Sequence, residues 1–178
     1  SVSGLKFGSS FKWVYLDYNL FESNIFLSSY HSFYNNFSYC TFYNNTFHSE
    51  SLGFVLRDGS NYNNFTNNIM NSTNSRVLDL QDSSNNLFVG NTIIGSSTGI
   101  NLETINIRNG ISNSFIDCII IGQNQEAIYS SWSSGLTFTD CEISGEGGAF
   151  AGLSLGYPVY LYNCTFPSIG YISNGGIH

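Results

Sequence analysis

Positive charge is scarce in this sequence. Lysine and arginine together number 5 against 12 aspartate and glutamate residues, which leaves a formal net charge of −7 at pH 7. Binding to nucleic acid requires a basic stripe, so this composition argues against nucleic acid as a partner. No apolar run approaches the roughly 18 residues of a membrane span. Charged residues make up only 10% of the chain, so hydroxyl and amide groups must dominate the surface, as in extracellular or cell-surface proteins.

A short sequence pattern occurs twice in the middle of the chain. Residues 113–120 read NSFIDCII and residues 136–143 read LTFTDCEI, 23 positions later. In both copies a Phe precedes the Cys by three residues, an Asp precedes it by one, and an Ile follows it by two. Even spacing of Phe and Ile places both on one face of a β-strand. A fixed period of this length is the signature of a repeat architecture.

The same pattern extends over most of the chain when the Cys position is taken as the anchor. The anchor positions are Asn24, Asn45, Asn68, Asn91, Cys118, Cys141 and Cys164. Three residues earlier stand Phe21, Phe42, Phe65, Phe88, Phe115, Phe138 and Leu161. Two residues later stand Phe26, Phe47, Met70, Ile93, Ile120, Ile143 and Phe166. Five residues before the anchor stand Asn19, Cys40, Asn63, Asn86, Asn113, Leu136 and Val159.

These columns predict a parallel β-solenoid in which one repeat makes one coil. Coils stack at the inter-strand spacing of about 4.8 Å, so equivalent residues lie directly above one another. Phe and Ile columns would fill the core, and inward-facing Asn columns would satisfy their amides along the axis. Every cysteine falls in an Asn column, which favours free, buried thiols over disulfides or a metal site.

With these columns, the sequence resembles the right-handed parallel β-helix family, especially the Asn-rich repeats of pectate-lyase-like and NosD-type proteins. The resemblance implies an all-β, right-handed parallel β-helix of about seven coils with a repeat of about 23 residues. We expect a single domain over residues 1–178, with a partial first coil (1–17), regular coils (18–167) and a C-terminal end (168–178). The fold hosts many activities, so function must be argued from the site.

A second strand and a turn are expected in each coil. The strand pairs are Phe54 with Leu56, Leu78 with Leu80, and Ile100 with Leu102. In the following turn, Asp58 and Asp82 are expected to stack, with Thr104 next in line. Residues 103–113 are expected to hold the extra length of the one 27-residue repeat, as a loop on one face.

Two carboxylate pairs are candidate sites. Asp117 and Asp140 precede the anchor in adjacent coils, where they could act as catalytic acids or bind calcium; a solvated surface pair is the simpler interpretation. Asp58 and Asp82, with Arg57 or Arg76 near them, could serve as acid and base. Their setting before Gly-Ser and Ser-Ser favours Asx-turns instead.

Other candidates concern carbohydrate. Exposed aromatics could stack on sugar rings, and the examples are Tyr129, Trp132 and Tyr157. Five Asn-x-Ser/Thr motifs are potential glycosylation sites: Asn36, Asn44, Asn64, Asn71 and Asn163. Because Asn, Ser and Thr are abundant here, each motif alone is a weak signal.

Three functions remain open at this stage. The favoured one is an extracellular structural or interaction protein that self-assembles end to end, because open solenoid ends expose unpaired strand edges. The alternative is a carbohydrate-active β-helix, either a polysaccharide lyase or hydrolase or a tailspike-like domain. A NosD-like copper protein is disfavoured, since one methionine and the unaligned His31, His48 and His178 offer few ligands. No cofactor is expected, and an enzymatic role is not favoured.

Overall fold

The computed structural model consists of parallel strands wound into a solenoid. It describes residues 2–7, 11–12, 16–28, 33–96, 103–152 and 158–167, and no helix occurs in these ranges. The earlier strands are β1 (Val2–Ser3), β2 (Lys6–Phe7), β3 (Phe11–Lys12), β4 (Leu16–Asp17), β5 (Leu20–Glu22), β6 (Ile25–Ser28), β7 (Phe33–Asn35), β8 (Phe37–Ser38), β9 (Thr41–Tyr43), β10 (Thr46–Ser49), β11 (Phe54–Leu56) and β12 (Asn64–Thr66). The later strands are β13 (Ile69–Ser72), β14 (Leu78–Gln81), β15 (Leu87–Val89), β16 (Thr92–Ser96), β17 (Ile105–Arg108), β18 (Ser114–Ile116), β19 (Ile119–Gln123), β20 (Glu126–Ser131), β21 (Leu136–Thr139), β22 (Glu142–Gly145), β23 (Gly148–Ala151) and β24 (Val159–Tyr162).

Three long parallel sheets form the sides of the solenoid. The first sheet runs β1-β5-β9-β12-β15-β18-β21-β24, the second β2-β6-β10-β13-β16-β19-β22, and the third β3-β7-β11-β14-β17-β20-β23. Neighbours in each sheet come from successive coils, so a coil contributes one strand to each sheet. A short pair, β4-β8, lies beside them. The predicted all-β parallel β-helix is confirmed.

The N-terminal residues continue this pattern. Strands β1, β2, β3 and β4 pair in parallel with β5, β6, β7 and β8 of the next coil. The expected C-terminal end at 168–178 lies outside the described residues.

One column of phenylalanines runs through the core. The rings of consecutive coils stack with centroids 4.6 to 4.9 Å apart and nearly parallel planes. Its members are Phe21, Phe42, Phe65, Phe88, Phe115 and Phe138, all buried. A buried Phe side chain contributes about 1.5–3 kcal/mol through area burial, and stacking adds about 0.5–1.5 kcal/mol. Repetition of this contact from β5 to β21 fixes the register of the first sheet.

The Asn anchor column forms the predicted amide ladder. Asn68 illustrates it: its Oδ1 accepts from the backbone N and Nδ2 of Asn45, at 2.8 and 3.1 Å. Its Nδ2 donates to the carbonyl of Phe42 at 2.9 Å and to Oδ1 of Asn91 at 3.0 Å. A second ladder joins Asn63, Asn86 and Asn113 in the same way. Each buried amide is therefore satisfied by the adjacent coils.

Cysteines replace the amides in the later coils. The thiols of Cys118 and Cys141 lie 3.5 Å from the carbonyls of Phe88 and Phe115 in the preceding coil. These are the carbonyls to which an anchor Asn would donate. Each thiol also lies 3.3 Å from a carbonyl two residues earlier in its own coil. Cys40, Cys118 and Cys141 are buried free thiols, and Cys164 is a half-buried one. The small, weakly polar thiol thus occupies the position of the amide, as predicted.

Three details of the predicted register are wrong around β17. Leu78 and Leu80 pair with Ile105 and Ile107, whereas the expected partners Ile100 and Leu102 lie outside the described residues. Consequently Asn109, and not Thr104, follows Asp82 in the turn. The four extra residues of the long repeat lie between Gly95 and Ile105 instead of within 103–113, because the pairings on both sides of that segment keep register. Two similar Ile-Asn-containing segments in succession made the earlier one a plausible but incorrect match.

The ladder can be tested at Asn68. Replacement by Ala leaves the backbone N of Asn45 and the carbonyl of Phe42 without these partners, so we expect a loss of about 3 kcal/mol or more in the free energy of unfolding. Replacement by Cys retains one weak donor to Phe42 and should cost distinctly less. Urea denaturation of both variants measures this, with Asn74→Ala, at an exposed position without positive φ, as the matched control. Equal losses for the Cys and Ala variants would contradict the ladder account.

Candidate functional site

The outer face of the third sheet carries a buried polar file. In β11, β14, β17 and β20 the inward residues are Phe54, Leu78, Ile105 and Ile128, which stack in register. The next residue of each strand points to the opposite face, since side chains alternate along a strand. This outward file is Val55, Asp79, Asn106 and Tyr129. Asp79 and Asn106 are only 1% and 2% exposed although they face away from the core.

A hydrogen-bonded chain links this file to two arginines. Arg57 Nη2 donates to Asp79 Oδ2 at 3.0 Å, and Asn106 Nδ2 donates to Asp79 Oδ1 at 2.6 Å. Asn106 Oδ1 then accepts from Arg108 Nε at 3.2 Å. The buried carboxylate of Asp79 therefore orients the Asn106 amide, and this amide holds the Arg108 head group.

The third arginine, Arg76, lies two residues before β14, near the N-terminal ends of these strands. Arg76 Nη2 forms an ion pair with Glu103 Oε1 at 3.0 Å. Burial raises the pKa of Glu103, and the neighbouring Arg76, with Arg108 farther away, offsets only part of that rise. All three arginines of the chain thus converge on one face.

A groove of about 310 Å³ opens on this face. We call it the arginine groove, and its walls are Arg76, Glu103, Arg108, Glu126, Tyr129 and Ala151. The guanidinium carbon of Arg108 lies 5.7 Å from the centroid of the Tyr129 ring, a cation–π contact that fixes its position. Together with Arg57 and Asp79, the groove region holds three cationic and three anionic side chains. It is therefore locally neutral on a strongly acidic protein.

The structure brings the predicted pair Asp117 and Asp140 together in adjacent coils. The backbone conformation at this bend explains why aspartate occurs at both positions. Both residues have positive φ, 52° and 53°. The whole column at this bend shares that conformation: Ser23, Asn44, Asn67, Gly90, Asp117, Asp140 and Asn163. Asn, Asp and Gly are the residues that tolerate it best. The column's composition is thus explained by the turn.

The same bend forms a second groove, of about 320 Å³. Asp117, Asp140 and Glu142 line it, and Asn163 Nδ2 donates to Asp140 Oδ1. In the described part of the chain, no cluster of three or more His, Cys, Asp or Glu side chains is arranged to hold a metal ion. Calcium binding or acid–base catalysis by this pair stays a prediction.

Asp58 and Asp82 occupy another positive-φ turn. Their φ values are 54° and 51°, both side chains are exposed, and Asp82 Oδ1 accepts from Asn109 Nδ2 at 3.0 Å. The arginines expected beside them pair elsewhere, Arg57 with Asp79 and Arg76 with Glu103. This geometry favours the turn interpretation, and a catalytic role for the two aspartates stays untested.

The remaining predicted residues are dispersed. Tyr129 lines the arginine groove. Trp132 directly follows β20 and is 61% exposed, and Tyr157 lies outside the described residues. Among the glycosylation motifs, Asn44 and Asn163 are exposed at the positive-φ bend. The others, Asn36, Asn64 and Asn71, are half-buried. Glycosylation at any of the five stays a prediction.

Sequence reasoning missed three polar residues that line the groove or hold its arginines. Asp79, Glu103 and Asn106 were not singled out as candidates. A signal existed: Leu78-Asp79-Leu80 and Ile105-Asn106-Ile107 place a polar residue between two core residues of a strand. Such a residue must face outward on the sheet, and its repetition one coil later marks a polar file.

Comparison with known proteins identifies the family. The family model described as right-handed β-helix region matches residues 8–166. The chain belongs to the right-handed β-helix family. Among solved structures, it is similar to the periplasmic alginate epimerase AlgG, with a TM-score of 0.72 and 17% identity over 90% of this chain and 44% of that one. A single-residue mutant of AlgG also gives a TM-score of 0.72 and 17% identity, over 91% and 42% of the two chains.

The extent of these matches limits what they show. At 17% identity the likeness to AlgG shows the fold alone, and the chain spans less than half the length of those structures. No curated protein sequence matches the chain significantly. Within the described residues, no helix is long and apolar enough to cross a membrane.

The turn interpretation of the Asp117 column predicts a specific mutational pattern. Asp140→Gly should be tolerated, because Gly adopts positive φ without strain, whereas Asp140→Val should lose about 1–2 kcal/mol of the free energy of unfolding. Glu142→Val, at an exposed strand position two residues away, is the matched control and should cost little. Chemical denaturation measures all three. Equal destabilisation by Gly and Val would show that the carboxylate itself is required.

The Glu103 environment predicts a pH dependence of stability. Because the pKa of Glu103 is raised in the folded chain, its stabilising contribution is complete below the ordinary value of 4.5 and is lost as pH rises through the raised pKa. The free energy of unfolding of the wild type relative to Glu103→Gln should therefore fall from pH 4.5 toward neutrality. Urea denaturation at stepped pH measures it, with exposed Glu142→Gln as control. If the free energy of unfolding of the wild type rose with pH relative to Glu103→Gln, the Arg76 ion pair would favour the ionised carboxylate more than burial disfavours it.

Proposed function

We propose that this domain binds a polysaccharide in the arginine groove. The observation on which this rests is the concentration of all three arginines, with buried carboxylates and Tyr129, on one face of an otherwise arginine-free, acidic chain. The structural similarity to AlgG, named as an alginate epimerase, supports carbohydrate as the ligand class.

The groove has the chemistry that sugars require. Sugar hydroxyls donate and accept hydrogen bonds at once, and the walls offer both types: guanidinium donors at Arg76 and Arg108, and carboxylate acceptors at Glu103 and Glu126. Tyr129 adds an aromatic surface. An apolar ligand would displace water from the Arg108 and Glu126 side chains without replacing its hydrogen bonds, at a cost of about 1–3 kcal/mol for each group.

The shape of the groove favours an extended ligand. Arg76, Glu103, Glu126 and Ala151 belong to four successive coils, as the pairing of β14, β17, β20 and β23 requires. At about 4.8 Å for each coil, the walls extend about 14 Å along the solenoid axis. A polymer lying along that axis would contact every coil in turn.

Acid–base chemistry on the bound sugar is a second candidate function. The reason to consider it is Glu103, a nearly buried carboxyl group. Burial raises its pKa, so it holds a proton closer to neutral pH than an ordinary glutamate does. Arg76 lies in contact with this carboxyl and could stabilise its anionic form after proton transfer. Turnover of a polysaccharide that is lost in Glu103→Gln while binding persists would establish this role.

A periplasmic or extracellular location fits this proposal, since the structurally similar AlgG is a periplasmic protein. End-to-end assembly into a filament gains no support from the comparisons, which favour carbohydrate chemistry instead. Use of the glycosylation motifs and self-association are further hypotheses that the groove does not require.

The binding proposal can be tested with immobilised polysaccharides, including alginate, and the purified chain. We expect at least one acidic polysaccharide to bind, with Arg108→Ala and Tyr129→Ala each weakening affinity at least about tenfold through loss of direct contacts. Trp132→Ala, which removes an exposed aromatic outside the groove walls, is the matched control and should bind normally.

Two results would contradict the proposal. One is the absence of binding across neutral and acidic polysaccharides by a folded chain, checked by circular dichroism. The other is binding that depends on Trp132 and is unaffected by both groove substitutions.

A further inference from the structure

We propose that three stacked tyrosines, Tyr18, Tyr39 and Tyr62, form a second binding site, which takes a neutral polysaccharide. We call these residues the tyrosine ladder. The ladder lies at the bend that precedes the first sheet, so it shares its ligand class with the proposed function but no residue with the arginine groove. The inference is carried by the stacking and exposure of the three rings and by the backbone conformation on which they stand.

The three rings stack in successive coils on the outside of the solenoid. The ring centroids of Tyr18 and Tyr39 lie 4.9 Å apart and those of Tyr39 and Tyr62 5.1 Å apart, with interplanar angles of 4° and 10°. Because van der Waals contact between carbon atoms is about 3.5–4.0 Å, rings at these distances are offset and cover one another only in part. Tyr39 has a ring on each side and is still 48% exposed, and Tyr62 is 51% exposed. The ladder therefore presents a strip of aromatic surface along the solenoid axis.

The backbone at this bend does not suit tyrosine. The φ angles of Tyr18, Tyr39 and Tyr62 are 58°, 57° and 59°, in the left-handed region that Gly, Asn and Asp tolerate best. In each coil the backbone N at this position donates to the carbonyl that precedes the same position one coil later. That hydrogen bond identifies the equivalent residues of the next three coils, which are small: Asn85, Ser112 and Gly135.

Stability of the fold does not account for the three tyrosines. A left-handed backbone costs a bulky residue about as much as one aromatic pair returns, or more. The buried Phe column already fixes the register of the first sheet, so the ladder is not needed for that purpose. Strained residues that persist in a fold point to a role for the side chain. Here the side chains are exposed aromatic rings, and contact with a ligand is the role that fits them.

The surroundings of the ladder favour a neutral sugar polymer as this ligand. The residues directly before the three tyrosines and the first outward residues of the strands that follow them are Asp17, Ser38, Asn61, Leu20, Thr41 and Asn64. Hydroxyl and amide groups beside aromatic carbon match the hydroxyl groups and the C–H faces of sugars. None of these six residues is a lysine or arginine, and Asp17 is acidic, so a carboxylate or sulfate finds no partner here. A polymer that lies along the solenoid axis contacts all three rings.

The test is affinity electrophoresis of the intact chain in gels that contain hydroxyethylcellulose, galactomannan or alginate. We expect at least one of the two neutral polysaccharides to retard the wild type. The double variant Tyr39→Asn/Tyr62→Asn should weaken that binding at least about tenfold, because two of the three rings are lost. Tyr162→Asn removes another exposed tyrosine, in β24 and outside the ladder, so it is the matched control and should bind like the wild type.

A stability measurement separates a binding role from a structural one. Asn tolerates the left-handed conformation and already occupies this bend as Asn85. The double variant should therefore unfold at the same urea concentration as the wild type, or at a higher one. A lower urea midpoint together with unchanged binding of neutral polysaccharides would assign the ladder to the fold and overturn the inference.

The outcomes also separate this inference from the proposed function. Binding of a neutral polysaccharide that requires the ladder but not Arg108 supports the inference, whether or not the arginine groove binds alginate. If alginate binds through the arginine groove and neither neutral polysaccharide binds, the ladder site is wrong and the proposed function stands. If sedimentation shows a dimer that the double variant abolishes, and no neutral polysaccharide binds, a second copy of the chain is the occupant and the inference fails. If no polysaccharide binds the folded chain, both proposals fail.

Discussion

The structure depends on the stacking of like residues at the spacing of parallel strands. From Phe21 to Phe138 each coil places its Phe over the Phe of the coil before it, and the anchor Asn residues stack in the same way until Cys replaces them. A slip of one residue between coils would turn every core side chain outward and break both ladders at once. The apolar files and the amide files therefore enforce the same register. Together they allow a chain with few charges, and with no helix among its described residues, to build a regular core.

The same register determines which residues are neighbours on the outer surface. Because side chains alternate along a strand, fixing Leu78 over Ile105 in the core fixes Asp79 beside Asn106 outside it. Charged groups that are far apart in sequence thus become neighbours one coil apart. The hydrogen-bonded chain through Asp79 and Asn106 to Arg108 follows from this, without any dedicated loop. A solenoid of this kind can assemble a site from strand residues alone, and strand residues are held more rigidly than loop residues.

Much of the fold was predictable because the core repeats with a nearly constant period. The Phe and Asn columns, including the exchange of Asn for Cys, could be read directly from the sequence. The register failed at β17, where four additional residues precede the strand and the segment containing Ile100 imitates the true one at Ile105. Periodicity identifies which residues are equivalent only while the spacing is constant. A local insertion must be placed by the pairing itself.

The candidate site was harder to predict, for two physical reasons. The exposed acids Asp117 and Asp140 attracted attention as a pair, but their column reflects a left-handed turn that favours Asn, Asp and Gly. Asp79, Glu103 and Asn106, in contrast, are buried polar residues next to apolar ones that dominate the pattern of the third sheet. Asp79 and Glu103 can be recognised as candidate site residues only once the third sheet places them beside Arg57 and Arg76. That convergence of residues 57, 76 and 108 is a property of the winding and not of any local motif.

Side-chain amide hydrogen exchange tests the central claim most directly. In the stacked solenoid, the Nδ2 protons of Asn45, Asn68 and Asn86 are buried and hydrogen-bonded to the next coil. They should exchange orders of magnitude more slowly than those of exposed Asn44 and Asn85. NMR of the labelled chain after transfer to D₂O measures both groups in one sample. Rapid exchange of the ladder amides, at the rate of the exposed ones, would contradict the account.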